Sequence, residues 1–271
     1  MTEPICRSYL FVPATRPERI AKALAAGAGA VIVDLEDAVP LSEKSAAREA
    51  AARALPLLAP VFIRINGPES EWFEDDLKLC AAVAARGVLI PKAEEADQVR
   101  HAVDRLHERS AILPLIETAR GFANRDALCR SSGVRRVVFG SIDFQLDLGI
   151  SGEGDELLYF RSGLVLASRL ASIQAPVDGV TVDINDLHAV REDTLRGKRL
   201  GFGAKLCIHP KQVAAVNECY RPTADEIEWA KRISEAAESA DGAAVAVDGR
   251  MVDRPVILKA QEILREVAGE T

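Results

Sequence analysis

The feature that most constrains this chain is its rhythm, in which short apolar runs alternate with amphipathic stretches over its first two hundred or so residues. Alternation of that kind specifies βα units built on a parallel sheet. Eight runs read as strands: Ser8–Val12, Ala30–Asp34, Val61–Ile65, Val88–Pro91, Ile112–Ile116, Val137–Gly140, Gly179–Val182 and Ala204–Ile208. Helical periodicity fills the intervals: Pro17–Ala26, Ser42–Ala54, Trp72–Ala85, Glu94–Arg109, Gly121–Cys129, Glu156–Ala171, Leu187–Leu200 and Lys211–Asn217. The strand runs are apolar nearly throughout, as expected when both faces of a sheet are covered. Eight such units close naturally into a (β/α)8 TIM barrel, a fold that occupies roughly 250 residues as one domain.

Beyond the eighth unit the texture changes. Thr223–Ala240 reads as a capped amphipathic helix, Ala243–Val252 as a hairpin turning at Asp248-Gly249, and Pro255–Val267 as a further helix. The expected division is therefore a catalytic barrel over residues 1–220 and a C-terminal helix-hairpin-helix extension over 221–271, serving as a lid or an oligomerisation element.

Composition narrows the functional classes. Lys and Arg number 34 against 41 Asp and Glu, for a net charge of −7, which argues against binding nucleic acid through a broad basic face. The longest weakly polar run, Ala23–Val33, is too short to cross a bilayer. The N-terminus lacks the basic start and long apolar centre of a signal peptide, so a cytoplasmic location is the default expectation. Five cysteines, Cys6, Cys80, Cys129, Cys207 and Cys219, form an odd set without a CxxC pair and read as reduced core thiols.

In a barrel of this type chemistry gathers where the strands end, at the C-terminal mouth. The chain delivers a polar set there: Asp34, Glu36 and Asp37 after the second strand, Arg64 and Asn66 after the third, Lys92 after the fourth, Glu117 after the fifth, Asp143 after the sixth, Asp183 after the seventh and His209 after the eighth. Converging acids need cations nearby. Arg64 and Lys92 neutralise part of the set, and Glu117 with Asp143, on adjacent strands, are suited to share a hard divalent ion such as Mg2+. With no cysteine and a single histidine among the strand ends, a zinc site is not expected. A cation of that kind beside an arginine makes a receiver for a small 2-oxo acid, the arginine taking the carboxylate and the metal polarising the carbonyl. Carbon–carbon bond chemistry through an enolate needs both. No nucleophile elbow, phosphate-binding loop or dinucleotide fingerprint is present.

The order of the motifs carries a resemblance. Leu10-Phe11-Val12-Pro13-Ala14 with Arg16-Pro17-Glu18-Arg19, Asp34-Leu35-Glu36-Asp37-Ala38-Val39, Arg64-Ile65-Asn66, Pro91-Lys92-Ala93-Glu94, Ile116-Glu117-Thr118, Phe139-Gly140-Ser141-Ile142-Asp143-Phe144 and Lys205-Leu206-Cys207-Ile208-His209-Pro210 together resemble the citrate lyase beta-subunit-like family, within the aldolase and citrate lyase superfamily. The resemblance covers the chain almost end to end. It implies an Mg2+-dependent barrel, often a homotrimer or homohexamer, among lyases of citryl, malyl and citramalyl thioesters. It also implies that Glu117 and Asp143 bind Mg2+, that Arg64 holds the oxo-acid carboxylate, and that Asp34, Glu36 and Lys92 form a supporting charge network. In related thioester lyases a C-terminal Met-Ile-Asp supplies an acid/base for the acyl methyl carbon; Met251-Val252-Asp253 stands in the matching place, with helix capping as the other reading of Asp253. Arg16, Arg19 and Lys22 are the candidates to meet coenzyme A phosphates. The loop Asn66-Gly67-Pro68-Glu69-Ser70-Glu71-Trp72 departs from the family by being more acidic.

Two rival readings belong beside this one. A class II 4-hydroxy-2-oxo acid aldolase would carry His after the second-strand Glu, where this chain has Asp37 after Glu36. A lyase subunit working within a larger acyl-carrier complex would share the same barrel.

Overall fold

A computed structural model of the chain describes residues 6–57, 61–239, 245–247 and 249–269. The chain divides into two compact units, residues 1–220 and 221–271. The first runs β1 (Ser8–Pro13), α1 (Glu18–Ala25), β2 (Ala30–Asp34), α2 (Lys44–Ala54), β3 (Phe62–Arg64), α3 (Phe73–Ala82), β4 (Gly87–Ile90), α4 (Ala96–Val103) and β5 (Ala111–Ile116). It continues with α5 (Ala119–Ala123), α6 (Arg125–Arg130), β6 (Val138–Phe139), α7 (Ser141–Leu148), α8 (Leu158–Leu170), β7 (Val177–Asp178), α9 (Leu187–Leu200), β8 (Ala204–Cys207) and α10 (Pro210–Tyr220).

The eight strands pair in parallel in chain order, and β8 returns to β1 through Leu206 opposite Tyr9. That closure is the (β/α)8 barrel the sequence rhythm predicts. Two apolar layers hold it. Tyr9, Ile32, Phe62, Leu89, Leu113, Leu115, Val138, Val177 and Leu206 belong to a cluster that fills the bore. Their strand neighbours, such as Leu10, Val31, Val33, Ile63, Val88 and Ile116, belong to a second layer with the helices. Each fully buried aliphatic side chain stabilises such a layer by roughly 1.5–3 kcal/mol.

Four expectations need correction. The seventh strand is Val177–Asp178 rather than Gly179–Val182. A Cβ on Gly179 would lie 2.2 Å from the Ser141 hydroxyl, so the chain passes close to α7 there and then leaves the sheet. Asp183 consequently sits in an exposed turn, where its Oδ1 accepts the N–H groups of Asn185 and Asp186. Helix α7 was also not expected. The sequence-read helix Glu94–Arg109 ends at Val103, and that over Gly121–Cys129 is two short helices meeting at Asn124.

The second unit holds α11 (Ala224–Ser239), the antiparallel pair β9 (Val245–Val247) and β10 (Arg250–Val252), and α12 (Arg254–Gly269). Ala230, Ile233, Val252 and Ala260 form its own small core. Asp248, read as part of the hairpin turn, lies outside the described residues.

Candidate active site

Asp34 and Arg64 end adjacent strands in direct register, so the acid of β2 meets the cation of β3 without either side chain reaching. Arg64 donates from Nε to Asp34 Oδ1 at 2.7 Å and from Nη2 to Oδ2 at 2.6 Å, a two-point fork. Asp34 also accepts the N–H groups of Glu36 and Ala38 at 2.9 and 3.2 Å. One buried carboxylate thus both folds the loop after β2 and aims the guanidinium. The Nη1 side of Arg64 faces Glu36 Oε2 at 3.0 Å and Asp37 Oδ2 at 3.2 Å. Its plane lies 4.9 Å from the Phe11 ring centroid.

Glu36 is buried, and its Oε2 has an ion-pair contact with Arg64 but no hydrogen bond. Its Oε1 stands 3.8 Å from Lys92 Nζ. Burial pushes the Glu36 carboxyl up to about 7; the Arg64 charge opposes that rise, while Asp37 and Asp34 add to it. Lys44, which sequence reasoning passed over, props this loop from below: its buried ammonium donates to the carbonyls of Leu35 and Glu36 at 2.8 and 2.7 Å. No motif flags it, because a lysine in the first turn of α2 looks like any helix-surface lysine.

Across the mouth, Glu117 at the end of β5 is 3% exposed. Its Oε1 accepts the Lys92 N–H at 2.8 Å. Lys92 adopts φ 48°, a left-handed conformation that costs a non-glycine residue free energy and is found where a site demands it. Here it turns the amide toward the carboxylate. Burial, followed by the Glu36 charge, pushes the Glu117 carboxyl up to about 8, with Asp143 adding and the Lys92 amide and Arg64 opposing. Gly140 makes the close approach feasible, since a Cβ there would lie 2.5 Å from Glu117 Oε2. Asp143 follows in the first turn of α7. Among the described residues no hydrogen bond or ion pair engages its carboxylate.

Asp34, Asp37, Arg64, Glu117 and Asp143 line one cavity of about 410 Å3 with Phe11, Ser141 and apolar neighbours. Of the residues singled out from sequence, Glu36 and Lys92 join this set through Arg64 and Glu117. Others stand elsewhere. Asn66 is held back by Asp76, which accepts from both its backbone and side-chain nitrogens. Arg16 is exposed and pairs loosely with Glu18 at 4.0 Å. Arg19, Lys22 and His209 line a separate cavity of about 370 Å3 beside β1. In the second unit, Asp253 Oδ1 accepts the Val256 N–H at 3.4 Å at the start of α12.

The donor set suits a hard cation. Two carboxylates and no sulfur or imidazole meet at Glu117 and Asp143, and among the described residues no cluster of three or more His, Cys, Asp or Glu forms a fuller cage. Mg2+ characteristically takes one or two protein carboxylates and fills its remaining positions with water and substrate oxygens. A cation there would also offset the burial and the neighbouring Glu36 and Asp143 charges that raise Glu117.

A closed parallel barrel with carboxylates and an arginine at its mouth has the architecture of a (β/α)8-barrel enzyme. The match to the HpcH/HpaI aldolase/citrate lyase family model spans residues 7–210. Among curated proteins, the citrate lyase subunit beta-like protein of Deinococcus radiodurans is 38% identical, covering 97% of this chain and 98% of its own. A (3S)-malyl-CoA thioesterase of Cereibacter sphaeroides is 33% identical over 95% and 93% of the two chains. Among solved structures, CitE from Mycobacterium tuberculosis in complex with magnesium, acetoacetate and coenzyme A superposes with a TM-score of 0.88 at 34% identity, covering 98% of this chain and all of the other. The chain belongs to the HpcH/HpaI aldolase/citrate lyase family.

Proposed function

We propose that this enzyme is an Mg2+-dependent carbon–carbon lyase that cleaves, or forms, a 3-hydroxyacyl thioester such as malyl-, citramalyl- or citryl-CoA, giving an oxo acid and an acyl thioester. The observation that carries the reading is the meeting of Glu117 and Asp143 with Arg64 in one cavity. The relative solved with magnesium, acetoacetate and coenzyme A supports the same ligand classes. Glu117 and Asp143 would hold the ion. When bound, Mg2+ supplies Lewis acidity at the oxo-acid carbonyl, where negative charge develops.

The chain's own residues do the rest. Arg64, its Nε edge fixed on Asp34, offers Nη1 and the outer Nη2 hydrogen to the oxo-acid carboxylate, with Asp37 giving way. Asp34 sets the guanidinium plane, while Glu36 and Lys92 balance charge around it. In the forming direction Asp253 removes a proton from the methyl carbon of the acyl thioester, the resulting enolate attacks the oxo carbon, and the oxygen left on that carbon takes up a proton from solvent. In cleavage, the β-hydroxyl gives up its proton to solvent, the bond between the α carbon and the hydroxyl-bearing β carbon breaks, and the protonated Asp253 delivers its proton to the enolate carbon. Asp253 acts in its own site or a neighbouring subunit's, within the homotrimer or homohexamer that the family resemblance implies. Arg16 contributes to the coenzyme A end of the substrate site.

The test is incubation of the enzyme and Mg2+ with malyl-, citramalyl-, citryl- and 3-hydroxy-3-methylglutaryl-CoA, with mass detection of products. Release of an oxo acid together with an acyl-CoA supports the reading. The likeness to a malyl-CoA thioesterase gives a second one, hydrolysis of the thioester, which would release free coenzyme A and an intact hydroxy acid instead. Turnover only with an acyl-carrier protein thioester would favour the subunit of a larger complex, and cleavage of 4-hydroxy-2-oxo acids the aldolase.

A further inference from the structure

The opposite end of the barrel carries a larger cavity, about 920 Å3, whose lining includes five arginines, Arg7, Arg86, Arg109, Arg135 and Arg136, against a single carboxylate among the described residues, Glu108. Each arginine lies one to three residues ahead of a strand, so the barrel gathers them at its N-terminal floor: Arg7 before β1, Arg86 before β4, Arg109 before β5, and Arg135 and Arg136 before β6. In a chain of net charge −7 this concentration of cations needs an account. Surface placement accounts for Arg109 and Arg135, which are exposed, but not for Arg136, which is 4% exposed.

Arg136 donates to the carbonyls of Ala175 and Cys6 at 2.8 and 3.1 Å and to the Tyr9 hydroxyl at 3.3 Å. Its hydrogen bonds are met but its charge is not, for among the described residues no carboxylate pairs with it, nor with Arg86, Arg109 or Arg135. A buried charge without a counter-charge costs several kcal/mol, and a bound anion offsets that cost. Tyr9, Phe62 and Leu113 give the cavity an apolar floor, the two rings meeting edge to face at 5.6 Å, with guanidinium groups 5.6 Å from the Tyr9 centroid (Arg136) and 5.3 Å from that of Phe62 (Arg86). Guanidinium forks select phosphate oxygens, and guanidinium planes stack on aromatic bodies as Arg86 and Arg136 do on Phe62 and Tyr9.

We propose that this floor cavity is a binding site for an organic phosphate with an aromatic body, of the nucleoside diphosphate class, separate from the site at the mouth. Because coenzyme A phosphates belong to the mouth in the functional reading above, the test must separate the two ends. Titration calorimetry is run on the full chain without divalent ions, using ADP, adenosine and pyrophosphate as probes. The variants are Arg86→Gln/Arg135→Gln at the floor and, as the mouth-end pair, Arg19→Gln/Lys22→Gln in the separate cavity beside β1.

The expected result is one ADP site, weakened by roughly tenfold or more in the floor variant and unchanged in the mouth variant, with pyrophosphate and adenosine both weaker than ADP. Absence of ADP binding at millimolar concentration overturns the proposal. So does binding lost in the mouth variant and retained in the floor variant, or pyrophosphate binding as tightly as ADP, which would leave only a nonspecific patch of charge. Circular dichroism of the floor variant confirms that its fold is retained, and Arg86→Lys/Arg135→Lys provides a second variant in which charge persists and the fork is lost.

Discussion

Arg64 concentrates the residue-scale logic of the mouth. Three carboxylates surround it, and the one at its Nε edge, Asp34, is itself tied to two backbone amides. Lysine would keep the charge and lose the planar fork, so Arg64→Lys is expected to lower kcat/KM by about 2 kcal/mol or more in transition-state binding. Steady-state kinetics on the best substrate checks this, and unaltered turnover would make Arg64 purely structural. Glu117 and Glu36 give a pH signature. Both carboxyls are raised, so each contributes stability that is fully present below its ordinary value of 4.5 and lost as pH rises through about 7 for Glu36 and about 8 for Glu117. The metal-free protein should therefore melt at progressively lower temperature from mildly acidic to mildly alkaline pH, and Mg2+ should restore Tm most at the alkaline end. Equal melting curves with and without Mg2+ across that range would remove the ion from Glu117, and Glu117→Gln should abolish the Mg2+ effect while keeping the fold.

At the scale of elements, legibility followed the reason each segment folds. The strands of the barrel could be read because both of their faces are buried, leaving uninterrupted apolar runs such as Ala30–Asp34. Helix α9 was read at its observed bounds because Asp186 caps its start and Gly201, at φ 102°, ends it. Helix α7 escaped because Ile142, Phe144, Leu146 and Leu148 recur every second residue, the period of a strand. The seventh strand was displaced by the same kind of signal, since Val177, Val180 and Val182 extend an apolar pattern that the close approach of Gly179 to Ser141 cuts short. Among the mouth residues, acids at strand ends were legible from position alone. Lys44 was not, because its importance comes from the two carbonyls it meets in three dimensions. Replacing it by methionine leaves those acceptors without a donor, and Lys44→Met is expected to cost about 1–3 kcal/mol in chemical denaturation. It should also lower kcat/KM while Mg2+ affinity stays near that of the unaltered chain, because the damage falls on the Glu36 loop.

For the molecule as a whole, the two units are unequal in what they bury. Residues 1–220 own both barrel layers, whereas the 51-residue remainder (221–271) relies on a cluster centred on Ala230, Ile233, Val252 and Ala260, and small cores of that kind are marginal alone. A chain ending at residue 220 is expected to keep a cooperative melt and Mg2+ binding but to lose exchange of acetyl-CoA methyl protons with deuterium in the presence of an oxo-acid analogue. Asp253→Asn in the full chain should reproduce that loss. Exchange that persists in both would leave Asp253 as a helix cap, worth about 1 kcal/mol. The side chains that fill the bore, from Tyr9 to Leu206, have one further effect. They separate an acid-lined end from an arginine-lined end, so ionised side chains of opposite sign are held apart along one axis. The barrel thus carries a permanent dipole along its axis: it should align in a pulsed field, and it should adhere to cationic and anionic supports by opposite ends despite its net negative charge.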